Sequence, residues 1–165
     1  MKAEAKSITR FYLAIGTACF VLACSKTGKG KVYFEGELKR LESLSLDSAS
    51  MSPSPFEKEV SDGRFTVAVW IERPEIFEKY YSLFKRNGYE GNGPCWVGHI
   101  TQILETLDPS VLHQVVFDDE AGSFHAYFLS ESSRNRFVEV LNPIFIDLRK
   151  LNIFVENATR WRIDD

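Results

Sequence analysis

Cysteine is nearly absent from this chain: its 165 residues hold three, at positions 19, 24 and 95. That excludes the disulfide framework on which small secreted domains often depend. An uncharged apolar run long enough to cross a bilayer, about 20 residues as a helix, is also missing; Phe11–Ala23 has 13. Basic residues do not dominate, with 20 Lys and Arg against 23 Asp and Glu and a formal net charge of −3, which argues against a general nucleic-acid binder. No phosphate-binding glycine motif, paired metal-ligand motif or internal repeat occurs, so no cofactor, metal or solenoid is expected.

What is present suits one globular domain. The chain is 44% apolar and 26% charged, with 13 Phe, six Tyr and three Trp, enough for a core built largely of aromatic rings. The first ten residues carry Lys2, Lys6 and Arg10 against Glu4 and lead into the apolar run Phe11–Ala23. A basic start, a short apolar middle and a small residue at its end form an export signal. The junction Val21-Leu22-Ala23-Cys24 resembles a bacterial lipobox. By that resemblance Cys24 is acylated and becomes the new N-terminus, because a thioether to diacylglycerol requires a thiolate. Two or more acyl chains hold a protein stably on a membrane. Removal of residues 1–23 leaves 17 basic and 22 acidic residues, a net −5. Cys95 is then the lone thiol not taken by lipid, and a single cysteine is more often a small buried apolar residue than a nucleophile.

Residues 24–55 read as a lipidated cysteine and flexible tether, with six serines between Ser43 and Ser54 and a Pro53-Ser54-Pro55 close. Within them Val32, Phe34, Leu38 and Leu41 could support a short element. From Phe56 to Asp165 the pattern becomes regular. Phe56–Val60 and Arg64–Glu72 flank Asp62-Gly63, a hairpin signal. Phe65, Val67, Val69 and Ile71 alternate with Thr66, Ala68, Trp70 and Glu72, which makes one face core. Pro74–Arg86 has helical spacing and ends at Asn87-Gly88. Trp96–Leu107 reads as a second helix, stopped at Asp108-Pro109. His113–Phe117 and Ser123–Leu129 form a second hairpin around Asp118–Gly122. Arg134–Leu151 is a third helix, kinked or split at Asn142-Pro143, and Asn152–Asp165 a short strand or helix and a charged tail. The expected fold is α+β: an antiparallel sheet of two hairpins with about three helices packed on one face.

Three constellations could carry function. Cys95 stands at a helix start, where the dipole favours a thiolate. With His125 on a later strand it could serve an envelope cysteine hydrolase, although the Asp-Cys-Ser-Gly signature of cell-wall peptidases is missing. Cys95 and His99 are spaced i, i+4 and, with His113 and His125, could in principle share a metal; the spacing is nonspecific. Asp118-Asp119-Glu120 is either a solvated turn or an acidic knob for a basic partner.

Two blocks then stand in fixed order: Gly88-Tyr89-Glu90-Gly91-Asn92-Gly93-x-x-Trp96, and Phe117-Asp118-x-Glu120-Ala121-Gly122-x-Phe124-x-Ala126-Tyr127. Together they resemble the immunity protein 51 family, antidotes of bacterial polymorphic toxin systems. The likeness runs from about Phe56 to Arg160. It departs at Pro94-Cys95, where the family pattern has an aromatic after Asn-Gly, at Asp119, where the family commonly has proline, and at Ser123, where it commonly has methionine. The resemblance implies non-catalytic binding and neutralisation of a cognate toxin protein. Tyr89, Glu90, Asn92, Trp96, Asp118, Asp119 and Glu120 are the expected contacts, while Gly88, Gly91, Gly93 and Gly122 shape the loops; Trp96 and Phe124 could instead be core. With the lipobox, the expected place is the periplasmic face of the envelope, on either the inner or the outer membrane, held there through Cys24. A structural or substrate-binding envelope lipoprotein is the remaining alternative.

Overall fold

Alternation of apolar and polar side chains builds four short strands. In the computed structural model, which describes residues 35–36, 39–40, 53–61 and 63–163 (side chains of Ser61 and Trp161 excepted), they are β1 Glu57–Ser61, β2 Arg64–Trp70, β3 Val115–Glu120 and β4 Ser123–Phe128. The expected signal segment 1–23, the lipidation site Cys24 and most of the tether lie outside the described residues. The sheet has the order β1-β2-β4-β3 and is antiparallel throughout. Two hairpins are therefore joined along β2 and β4. The register sets Phe65 opposite Phe128, Val67 opposite Ala126 and Val69 opposite Phe124, with Val115 and Phe117 continuing the same face on β3.

Between residues 53 and 163 four helices follow, α1 Pro74–Arg86, α2 Gly93–Leu107, α3 Glu131–Phe145 and α4 Leu148–Glu156; α2 and α3 pack directly on that face and α4 packs against the other helices, completing the expected α+β fold. Short 3₁₀ turns at Pro109–Gln114 and Arg160–Arg162 connect and close the chain. No described helix is long and apolar enough to cross a membrane.

Trp96 sits at the centre of the core. It lies edge-on to Tyr80 at 5.1 Å and stacks on Phe145 at 5.2 Å between ring centroids. The Tyr80 hydroxyl donates to the Phe145 carbonyl at 2.9 Å, and burial pushes its phenol pKa above the usual range. Phe137 of α3 packs on Phe124 and Phe128 of the sheet.

The boundaries that moved did so for local reasons. α2 begins at Gly93, three residues before the expected Trp96. Asn92 caps it, accepting the Cys95 backbone N–H at 3.0 Å, and Pro94 fits a first turn that needs no N–H. β3 runs through Asp118, Asp119 and Glu120, so these acids are strand residues and the turn is Ala121-Gly122. The third expected helix splits between Phe145 and Leu148, beyond Pro143, because Asp147 caps a new helix by accepting the Arg149 N–H. Residues 152–156 are helical, which removes the strand alternative for them.

Candidate functional site

The glycine-rich stretch folds as a tight turn that closes α1 onto α2. Gly88 and Gly91 have φ of +84° and +75°, the left-handed region where a side chain is strained. The Gly88 and Tyr89 N–H groups donate to Lys85 and Phe84 carbonyls and cap α1. Arg160 donates to the Gly88 carbonyl and lies 4.9 Å from the centre of the Tyr89 ring. Tyr89 also meets His99 edge-on at 4.6 Å.

The loop thus turns its aromatics inward. Tyr89 is 4% exposed and Trp96 is fully buried. Tyr89, expected to meet a partner, presents almost no surface to one, and for Trp96 the core alternative holds; both belong to the core, because burying a large ring gains more than leaving it in water. Asn92 is spent on capping α2. Of the four expected loop contacts only Glu90 stands in solvent, 3.4 Å from the Lys85 ammonium.

Gly93 serves by size. A Cβ there would overlap the backbone carbonyl oxygens of Glu120 and Ser123. The start of α2 therefore sits directly on the β3–β4 turn, and the two blocks that resemble one family signature meet in space. Gly122 is held close as well: its carbonyl accepts from the Ile71 N–H at 3.0 Å, and a Cβ would strike the Glu72 carboxylate.

Strand alternation separates the three hairpin acids. Asp118 and Glu120 stand on the face away from the helices, where the Tyr127 hydroxyl approaches Asp118 at 3.5 Å. Asp119 points to the helical side. There it lines a shallow cleft of about 190 Å³ with Pro94, Val97, Gly98, Thr101, Arg162 and Ile163. Arg162 is anchored by a two-point ion pair to Glu105, both contacts at 2.7 Å, which raises its pKa.

The residues of the hydrolase reading are not brought together. Cys95 is 2% exposed within the core cluster. His125 lies on the opposite face of the sheet, 5.3 Å from Trp70 and 6.4 Å from Tyr127 between ring centres. His99 is buried beside Phe84 and Tyr89, and among the described residues no three His, Cys, Asp or Glu side chains are grouped to hold a metal.

Trp70, Glu57 and Glu59, which no motif singles out, share the outer sheet face with Asp118 and Glu120. The signal was present in β2, where Trp70 falls on the non-core phase of the alternation. Arg162 and Ile163 carry no sequence signal, because tertiary folding alone returns them to α2. Scanned against protein-family models, curated proteins and solved structures, the chain matches none of them.

Proposed function

We propose that this chain is a non-catalytic immunity protein, tethered to the cell envelope by lipid at Cys24, that binds a cognate toxin protein and neutralises it. The reading rests on the paired sequence blocks that resemble the immunity protein 51 family. The observation that carries it is the seating of Gly93 against the Glu120 and Ser123 carbonyls. Two blocks far apart in sequence form one corner, which gives a physical reason for them to occur together. That corner holds Asp118 and Glu120 exposed on a paired strand rather than on a loose loop, as a rigid binding site requires. The alternative hydrolase needs Cys95 and His125 in contact, and the sheet lies between them.

A large secreted toxin encoded immediately upstream of this gene would support the proposal, and co-expression with that toxin tests it. Growth is expected to be rescued and the two proteins to co-purify, with Cys95→Ala equally protective. Recovery of the protein in the cytosolic fraction with residues 1–23 intact would remove the envelope assignment. Loss of protection in Cys95→Ala, with its fold intact, would restore the hydrolase.

A further inference from the structure

We propose that the outer face of the sheet is the docking surface, and that its occupant is a protein surface bearing clustered arginines. This rests on the toxin-binding reading and names the surface and partner chemistry within it.

Register lays the face out in rows. Glu59, Thr66, Tyr127 and Val116 cross the four strands; next come Glu57, Ala68, His125 and Asp118; then Trp70, Ser123 and Glu120. Acids therefore line both edges, and the middle holds small residues and a ladder of rings. Trp70 meets His125 edge-on at 5.3 Å, and His125 lies nearly parallel to Tyr127 at 6.4 Å. Trp70 is 37% and Val116 67% exposed. A partly exposed tryptophan and tyrosine framed by charge have the composition of an interface hot spot rather than of an ordinary solvated sheet.

The molecule itself shows which cation these rings accept. Arg73 lies 5.7 Å from the Trp70 ring centre while paired with Glu57, and Arg64 lies 6.0 Å from that of Tyr127. A guanidinium between a ring and a carboxylate is thus a geometry this face already forms. Among the described residues Glu59, Asp118 and Glu120 have no cation at ion-pair distance, so three carboxylates remain for a partner. A second observation is independent of charge. Thr66 is 4% exposed, and among the described residues its buried hydroxyl, in the middle of the face, has no hydrogen-bond partner. Such an orphan group is costly unless something else satisfies it. A second copy of the chain would bring the acidic edges of two such faces together, and an anionic lipid surface would repel them. A cationic protein surface meets neither objection.

The test uses the mature chain, a toxin that it protects against in co-expression, and a capped triarginine peptide. Asp118→Lys/Glu120→Lys and Trp70→Ala should each weaken toxin binding by about 30-fold or more, with unchanged urea midpoints for the charge variant, whereas Glu90→Lys stays within about threefold. Wild-type binding that survives all the face variants would overturn the docking surface and leave the toxin reading standing. The peptide arm is independent of the toxin. In ¹H–¹⁵N spectra it should shift the Trp70 indole, Val116 and Asp118 signals and spare Glu90, and these shifts should vanish in the charge variant. Such shifts beside a toxin that is not retained would sink the toxin reading alone. Shifts spread over all acidic surfaces, the same shifts with anionic vesicles, or concentration-dependent dimerisation through the face would overturn the proposal.

Discussion

In the glycine loop Tyr89 is 4% exposed and Trp96 is fully buried, while Asp118 and Glu120 of the β3–β4 hairpin stand in solvent. Both segments combine turn-forming residues with aromatic and acidic ones, and both looked like recognition loops. The loop is a packing device: positive-φ glycines reverse the chain, Asn92 starts a helix, and Trp96 anchors it among Tyr80, Phe84 and Phe145. The hairpin is a display device, its acids spread over two faces by strand alternation. Function-like composition thus identifies a segment that is constrained; burial decides whether it is constrained for folding or for contact.

Substitutions can break this contrast at either end. Trp96→Ala should have the largest effect, about 3–5 kcal/mol of stability for a buried ring removed from the core, read from urea unfolding. A loss below about 1 kcal/mol would mean that the ring is not the anchor. Gly93→Ala forces a Cβ against two backbone carbonyls that cannot swing aside and should cost about 1–3 kcal/mol. The backbone signals of Glu120 and Ser123 should shift with it. Asn92→Ala removes the cap of α2 and should cost about 1 kcal/mol, with Asn92→Asp restoring most of it.

Asp147 extends the contrast to an acid that folding has captured. Its carboxylate accepts the Arg149 N–H at 3.1 Å and the Arg149 guanidinium at 3.0 and 2.9 Å. These hydrogen bonds, reinforced by the nearby positive charge, hold its pKa below the ordinary value of 3.8 despite burial. A depressed folded-state pKa contributes stability that is present above the unfolded value and is lost as pH falls through the folded one. Asp147→Asn should therefore flatten that acid-side decline in thermal scans between pH 5 and the acid limit; an unchanged slope would contradict the assignment. The smallest effect is expected from Asp118→Lys/Glu120→Lys, within about 0.5 kcal/mol of wild type in urea, because these side chains face solvent. A large loss of stability there would make the hairpin a packing device too.

Much of the architecture was legible. The period-two run Phe65–Ile71 gave the core face of β2, and the helical stripe of Pro74–Arg86 gave α1 with its end at Asn87-Gly88. The start of α2 was misplaced because three glycines and a proline read as loop, although Asn92 and Pro94 are also helix-start residues. The break before α4 was misplaced because Pro143 outweighed Asp147 as a signal. Of the expected contact residues, Glu90, Asp118 and Glu120 stand in solvent and Asp119 lines the cleft beside α2. Tyr89 and Trp96 do neither, and a ring beside glycines reads alike whether it faces water or core.

The sequence by itself determined the two antiparallel hairpins, the core phase of β2 and the helical stripe of α1, since these follow from local periodicity and turn chemistry. Tertiary structure alone decided that Gly93 meets the hairpin, that Cys95 and His125 fall on opposite sides of the sheet, and that Glu57, Glu59, Asp118 and Glu120 share one face around Trp70 and Tyr127. Those relations depend on β2 pairing with β4 across more than fifty residues of chain. Long-range packing fixes that register, which no window of local sequence contains.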